Sequence, residues 1–244
     1  MKKHGLLLPA ALCAAAIGFV LRLLQLQEAA QSGGLPEGGG WIILAAWSVL
    51  FAAFAVFSVR KIPEKTAYNE LYKNHLLTTV LSVLAAGLIL AANVYPLLAA
   101  DGIAPAELLF ARIDSILGIA AALSVVAAAA ALRKGAKPGA WTTLVPTLFL
   151  LVNLVLNFRR WSVDPIALDY CYKLFFSIAS MLGVYYCGGF LFDKGKRRVS
   201  AAWCLLGVYF GGVTLADGGL QHCLLTGGLM LLLMFNLIQL LRAE

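Results

Sequence analysis

The sequence predicts an all-α membrane protein: a bundle of about eight transmembrane helices with both termini in the cytoplasm. Hydrophobic residues make up 61% of the chain and charged residues 13%, against about 45–50% and 25% in soluble domains. The mean hydropathy is +0.87. Apolar residues are gathered into long runs, and the polar links between the runs alternate between basic and acidic. A soluble core could not bury this much apolar surface.

The apolar runs have the length of membrane-spanning helices. A helix needs about 20 mostly apolar residues to cross a hydrocarbon layer of about 30 Å. The runs are apolar on every face, whereas membrane strands alternate between apolar and polar residues, so helices are predicted. Together they make residues 1–244 a single integral membrane domain. The predicted spans lie near 5–26, 41–59, 76–99, 109–132, 140–158, 167–192, 200–216 and 219–241.

The orientation follows from the lysines and arginines beside the spans, because cytoplasmic links are enriched in these residues. The first, third and seventh links hold acids and no lysine or arginine, which places them outside. The fifth link departs from the alternation, since Arg159 and Arg160 lie at an end that parity places outside. The cytoplasmic ends are marked by Lys2, Lys3, Arg60, Lys61, Lys65, Lys73, Arg133, Lys134, Lys137, Lys194, Lys196, Arg197 and Arg198.

The first span could also be a signal peptide, because a basic start precedes apolar and small residues in MKKHGLLLPAALCAAA. The apolar run nevertheless continues through Phe19, Val20 and Leu24, which favours a retained anchor. Cleavage would leave seven spans with the C-terminus still in the cytoplasm.

Catalytic and metal-binding motifs are missing from the sequence. It has no HExxH and no GxxxxGK[ST], and its five cysteines form no CxxC pair. We therefore expect no enzyme activity, no metal and no cofactor. Cys171 and Cys223 fall at the outer end, where a disulfide is conceivable, but free cysteines are favoured. The net charge of +7 is explained by cytoplasmic lysines and arginines beside anionic lipid, without a nucleic-acid partner.

Polar residues are concentrated at the outer ends of the spans, while the inner halves are nearly bare. A charge in the bilayer centre costs roughly 2.5–3.5 kcal/mol, so such groups need a partner, a water-filled cavity or a reach to the interface. We expect Arg22 to reach the headgroups by snorkelling. The outer polar residues are Arg22, Gln25, Asn93, Arg112, Asp114, Asn153, Asn157, Arg160, Asp169, Lys173, Asp217, Gln221 and His222.

Helical spacing selects the candidate ligand-binding residues among them. Asn153, Asn157 and Arg160 lie at i, i+4 and i+7, so they form one polar stripe on the fifth span. We expect this stripe to face the protein interior, toward the sixth span, because asparagine is too short to snorkel. On that span Asp169 and Lys173 form an i, i+4 pair. Arg112 and Asp114 are two residues apart on the fourth span and must look elsewhere than at each other.

These residues support two classes of function. The first is a binding or transport protein, or a membrane subunit of a transporter, whose polar site opens to the outer face and takes a small polar or anionic solute. Transport would be passive or would depend on a separate energising subunit. The second is a non-catalytic interaction or regulatory subunit that docks a partner membrane protein. The composition is typical of a multi-pass protein of a bacterial inner membrane.

Overall fold

Nine α-helices make up most of the part of the chain that the computed structural model describes, which is residues 6–31, 39–64, 68–72, 76–98, 105–161 and 167–242. The side chains at 31, 69, 70, 105–107, 160 and 167–169 lie outside this description. The helices are α1 (Leu7–Gln31), α2 (Gly40–Val59), α3 (Tyr68–Leu71), α4 (Leu76–Leu98), α5 (Pro105–Arg133), α6 (Trp141–Trp161), α7 (Ala167–Gly188), α8 (Arg197–Thr214) and α9 (Leu220–Arg242).

Eight of these helices are long and apolar enough to cross a membrane. They match the predicted spans to within five residues at either end. α7 and α8 are extended by the 3₁₀ segments Gly189–Phe192 and Leu215–Asp217, while α3 is a single turn in the second link. The prediction of an all-α helical bundle is therefore confirmed, and the chain is a multi-pass integral membrane protein.

Six of the long helices pack in a closed ring. Each helix from α4 to α9 contacts the next one along the chain, and α9 closes the ring by packing against α4. α7 also touches α9 across the ring, which narrows its interior. The first two helices lie outside: α1 packs along α8, and α2 packs against α1 and α8. We call α4 to α9 the six-helix ring.

α8 is the helix on which both parts meet, and it is two thirds buried, against about a third for α1 and α2. Its glycines permit this position, because small residues let helices approach closely in lipid. A Cβ atom at Gly212 would lie 2.6 Å from the Cβ of Ala15, and one at Gly207 would collide with the Leu233 side chain. Side chains larger than hydrogen would push α1 and α9 away.

The even-numbered links meet at one end of the bundle. The Arg197 amide donates to the Glu64 carbonyl at 3.2 Å, and the Lys137 ammonium lies 3.1 Å from the Asp193 carboxylate. The second, fourth and sixth links therefore share one end, as the alternation of charge requires. We call it the basic end and the opposite one the acidic end. That the basic end faces the cytoplasm stays a prediction.

Arg197 is an exception among the basic residues expected to lie beside lipid headgroups. Its side chain is only 2% exposed, and its Nε donates to the Leu240 carbonyl at 2.7 Å. A cation at the C-terminal end of a helix is favoured by the helix dipole. Arg197 thus fastens α8 to the end of α9 instead of lying beside lipid headgroups.

Candidate functional site

The polar stripe predicted on the fifth span lies on α6 and points into the bundle. Asn153 is buried, and its amide donates to the Asp114 carboxylate of α5 at 2.8 Å. Asn157 donates in turn to the Asn153 oxygen at 2.9 Å. The predicted inward orientation is confirmed for these amides, but the neighbouring helix was wrongly predicted, because the partner lies on α5 and not on α7. From here on, polar stripe means the hydrogen-bonded residues Asp114, Asn153 and Asn157, without Arg160 of the predicted stripe, whose side chain lies outside the described residues.

A second buried amide lies at the same end of the ring. Asn93 of α4 is 4% exposed and donates to the Ile89 carbonyl one turn below. Its side chain occupies the space above Gly118 of α5, where any Cβ atom would collide with it. Gly118 lies one turn from Asp114, so α4, α5 and α6 all present polar groups at the acidic end of the ring.

The basic end of the ring holds a cavity of about 60 Å³. Its walls come from α4, α5, α6, α7 and α9, and the second link covers it with Tyr68 and Tyr72. These two tyrosines stack at 4.8 Å between ring centroids, and the Tyr72 hydroxyl donates to the Asn236 oxygen at 3.2 Å. We call Tyr68 and Tyr72 the tyrosine cap. Other lining residues are Ser82, Val125, Ala129, Thr142, Pro146, Val184 and Cys187.

Burial raises the pKa of both tyrosines of the cap above the usual value near 10. For Tyr72 the neighbouring thiol of Cys187 adds to this effect. The Lys137 ammonium lies 5.7 Å from the centre of the Tyr68 ring, close enough for a cation–π contact. The cap is therefore neutral over the whole physiological pH range.

The cavity and the polar groups of the acidic end lie on the same faces of their helices. On α5 the series Asp114, Gly118, Ala121 and Val125 keeps the helical spacing of three or four residues. On α6 the cavity residue Pro146 is followed at the same spacing by Phe149 or Leu150, then by Asn153 and Asn157. The ring axis therefore joins a polar acidic end to a cavity at the basic end. Between them it is filled by Ala85, Ala86, Ile89, Ala121, Ala122, Phe149 and Leu150, all buried.

Arg22 does not snorkel. Its side chain is 1% exposed, and its Nε lies 2.8 Å from the Asp217 carboxylate, which is itself 3% exposed. Arg22 also donates to Gln25 at 3.0 Å and lies 5.6 Å from the ring centre of Tyr172. The reason for the difference is that α1 packs along α8, which brings a carboxylate within reach and keeps the headgroups out.

Lys173 joins the same group from α7. Its ammonium lies 3.7 Å from the second Asp217 oxygen and is 22% exposed. We call Arg22, Asp217 and Lys173 the ion cluster. Its members come from α1, α7 and the 3₁₀ turn that follows α8, so it joins the outer pair of helices to the ring.

The structure scatters the remaining candidates. Arg112 is exposed on α5, away from the buried face that carries Asp114. The side chains of Arg160 and Asp169 lie outside the described residues, so the predicted Asp169–Lys173 pair stays a prediction. Arg159, whose position broke the alternation of charge, is exposed and lies 5.1 Å from the ring centre of Phe110, which gives it a local contact at the acidic end.

Two buried amides contradict the expectation that the inner halves of the spans are nearly bare. Asn236 and Gln239 of α9 are 7% and 1% exposed and lie toward the basic end. Their signal was present in the sequence as two amides within an otherwise apolar run. The pairing of Arg22 with Asp217 had no such signal, because the two residues are 195 positions apart.

Within the described ranges no three His, Cys, Asp or Glu side chains are grouped as metal ligands, and all five cysteines are free. His222 Nε2 lies 3.0 Å from the Thr214 carbonyl and 3.4 Å from the Thr226 hydroxyl, so it links the end of α8 to α9. Comparison with protein-family models, curated proteins and solved structures finds no match for this chain. Function must therefore be argued from the geometry of the bundle.

Proposed function

We propose that this membrane protein binds a small polar solute inside the six-helix ring and passes it across the membrane. The observation that supports this is the alignment of polar groups and cavity on one axis. The polar stripe and Asn93 lie on the interior faces at the acidic end, and the cavity under the tyrosine cap lies on the same faces at the basic end. Polar groups buried only for packing need no such alignment.

The chemistry of the polar stripe favours a neutral or cationic solute that can donate hydrogen bonds. Asp114 places a carboxylate on the ring face, and Asn153 and Asn157 add amide oxygens and NH₂ groups. The carboxylate and amide oxygens are hydrogen-bond acceptors, which match the N–H or O–H groups of such a solute. Among the described cations, Lys173 and Arg22 face Asp217, and Arg112 is exposed away from the stripe. The anionic alternative is therefore less favoured than the polar one.

The described conformation is closed between its two ends. Ala121, Ala122, Phe149 and Leu150 are at most 2% exposed in the middle of the ring, so a solute needs a rearrangement of α5 and α6 to pass. At the basic end the tyrosine cap must also move from its hydrogen bond with Asn236. The sequence carries no P-loop, so we propose passage that is passive or is driven by a separate energising subunit.

Thiol accessibility tests the ring axis directly. In a variant whose five native cysteines are replaced, we expect Asn153→Cys to react with a small charged thiol reagent added in water. The matched control is Val155→Cys, two residues further along α6, where the native side chain is 58% exposed on the outside of the bundle. Reaction at 153 without reaction at 155 supports a wet axis. An unreactive 153 would mean a dry structural network and would overturn the proposal.

Passage is measured in proteoliposomes by the rate of swelling in urea, glycerol or methylammonium, with acetate as the anionic probe. We expect faster entry of at least one neutral or cationic probe than in protein-free vesicles. Asn153→Leu should abolish the gain, whereas Ser48→Ala, a buried change between α2 and α8 outside the ring, should keep it. Equal rates with and without protein for all probes would favour the alternative of a non-catalytic subunit that docks a partner membrane protein.

A further inference from the structure

A groove of about 440 Å³ separates α6 from α7 at the basic end. It is distinct from the ring cavity, because it opens on the outside of the bundle. Its back is formed by Gly188 and Gly189, which have no side chains to fill it. A Cβ atom at Gly188 would lie only 2.9 Å from the Thr143 hydroxyl, so the two helices touch behind the groove. Its polar lining consists of Thr143, Thr147, Tyr185, Tyr186, Lys194 and Lys196.

The charge of the groove is one-sided. Lys194 and Lys196 line it, and its lining among the described residues includes no carboxylate. The nearest acid in sequence, Asp193, has a φ of 55° and directs its carboxylate to Lys137, at 3.1 Å. This left-handed turn takes the acid away and leaves the two lysines at the rim. A ligand of this groove should therefore carry negative charge at the level of the rim.

The lower part of the groove is apolar and faces lipid. Leu144 and Tyr185 are 54% and 57% exposed on the outside of α6 and α7, and Phe192 is 55% exposed beside the lysines. The Thr143 and Thr147 hydroxyls also line the groove, and they donate to the carbonyls of Ala140 and Thr143 respectively. Cations at the rim and exposed apolar side chains on the adjoining helix surfaces match a molecule with an anionic head and a hydrocarbon tail.

We propose that this lysine groove is a binding site for an anionic phospholipid of the leaflet at the basic end. The phosphate lies between Lys194 and Lys196, and the acyl chains run along Leu144 and Tyr185. Because α6 also carries Asn153 and Asn157, a lipid held between α6 and α7 fixes the helix on which the polar stripe lies. The site is independent of whether a solute crosses the ring.

Thermal unfolding in detergent tests the site, because a ligand that binds only the folded state raises the unfolding temperature. Phosphatidylglycerol dispersed in the same detergent should raise the midpoint by about 5 °C at concentrations well above its dissociation constant. We expect this shift to be lost in Lys194→Gln/Lys196→Gln. The matched control is Lys61→Gln/Lys134→Gln, which removes the same charge from exposed positions at the same end outside the groove.

Separate additions distinguish the source of the phosphate. Phosphatidylcholine should give a much smaller shift than phosphatidylglycerol, and inorganic phosphate at the same concentration should give none. An equal shift with phosphatidylcholine, or an undiminished shift in Lys194→Gln/Lys196→Gln, would overturn the proposal. A full shift with inorganic phosphate alone would mean a site for free anions and would overturn the lipid assignment.

A second pair of variants keeps the test valid if the double glutamine variant folds poorly. Lys194→Arg/Lys196→Arg conserves the charge and should retain most of the shift. Thr147→Phe leaves both lysines in place but fills the groove, and it should reduce the shift. Retention of the full shift in Thr147→Phe would contradict binding within the groove.

Discussion

The ion cluster and the polar stripe are both partly or fully buried groups of polar side chains at the acidic end, but they differ in what surrounds them. Arg22 and Asp217 lie between α1 and the ring, and the Asp217 carboxylate is paired with both Arg22 and Lys173. Asp114, Asn153 and Asn157 lie on ring faces that continue to a cavity. Burial of charge alone therefore does not mark a functional site. The candidate site differs from the ion cluster because its polar groups lie on helix faces that continue to a cavity, whereas the ion cluster only joins α1 to the ring.

The largest effect is expected from breaking the ion cluster. Arg22→Met or Asp217→Asn removes one side of a pair that is almost fully buried, and the charge of the remaining partner should cost about 3–5 kcal/mol of the free energy of unfolding. The double variant should lose less than the sum, because neither charge is then left alone. Lys173→Met should cost less than either single substitution, because the Lys173 ammonium lies farther from the Asp217 carboxylate, at 3.7 Å, and is partly exposed.

Melting temperatures in detergent measure these costs, and the thiol reactivity of position 153 supplies the contrast. If the ion cluster only holds helices together, a cysteine at position 153 should remain reactive in the double variant. If the double variant loses thiol reactivity at position 153, the ion cluster and the polar stripe act as one site, and the distinction between them is wrong.

A smaller loss of stability is expected at the polar stripe. Asn153→Leu removes the amide that donates to Asp114, which should cost about 1–3 kcal/mol. Solute entry should nevertheless fall to the rate of protein-free vesicles, so function is affected more than folding. Stability and solute entry are measured on the same preparation. A large loss of stability with normal solute entry would mean that Asn153 only stabilises the fold and does not bind the solute.

The tyrosine cap should make the basic end sensitive to alkali. Burial raises the pKa of Tyr68 in the folded protein above that of the unfolded chain, near 10. The unfolded chain therefore binds fewer protons above about pH 10, and stability must fall as the pH rises from there. Tyr68→Phe should weaken this fall between about pH 10 and 11. Parallel curves for Tyr68→Phe and the unmodified protein would contradict the shift.

The smallest effect is expected for the surface pair that joins the fourth and sixth links. Lys137 and Asp193 are 38% and 72% exposed, so their pairing should contribute about 0–1 kcal/mol. A double-mutant cycle with Lys137→Gln and Asp193→Asn measures it, and the coupling should shrink in high salt. A coupling free energy as large as that of Arg22 with Asp217 would show that solvent exposure does not explain the difference in strength between the two ion pairs.

The sequence predicts where each helix begins and ends far better than which helices pack against each other. The bounds of a span follow from local hydropathy, and α2 ends at Val59 as predicted. Spacing shows which residues share a face of one helix, but it does not say which helix that face meets. Asn153 could have met Lys173 or Asp114, and both are polar residues near the acidic end of a neighbouring span. The choice depends on the order of helices around the ring, which no local pattern records.

The separation of Arg22 from Asp217 has a consequence for biogenesis. The two residues are 195 positions apart, and at a synthesis rate of about 5–20 residues per second this corresponds to roughly 10–40 s. During that interval α1 is in the bilayer while the carboxylate that will bind its arginine has not yet been made. Snorkelling, which the finished fold does not use, is the state available to Arg22 at this stage. We therefore expect the first helix to reach its final position only after α8 and the turn that carries Asp217 have been inserted.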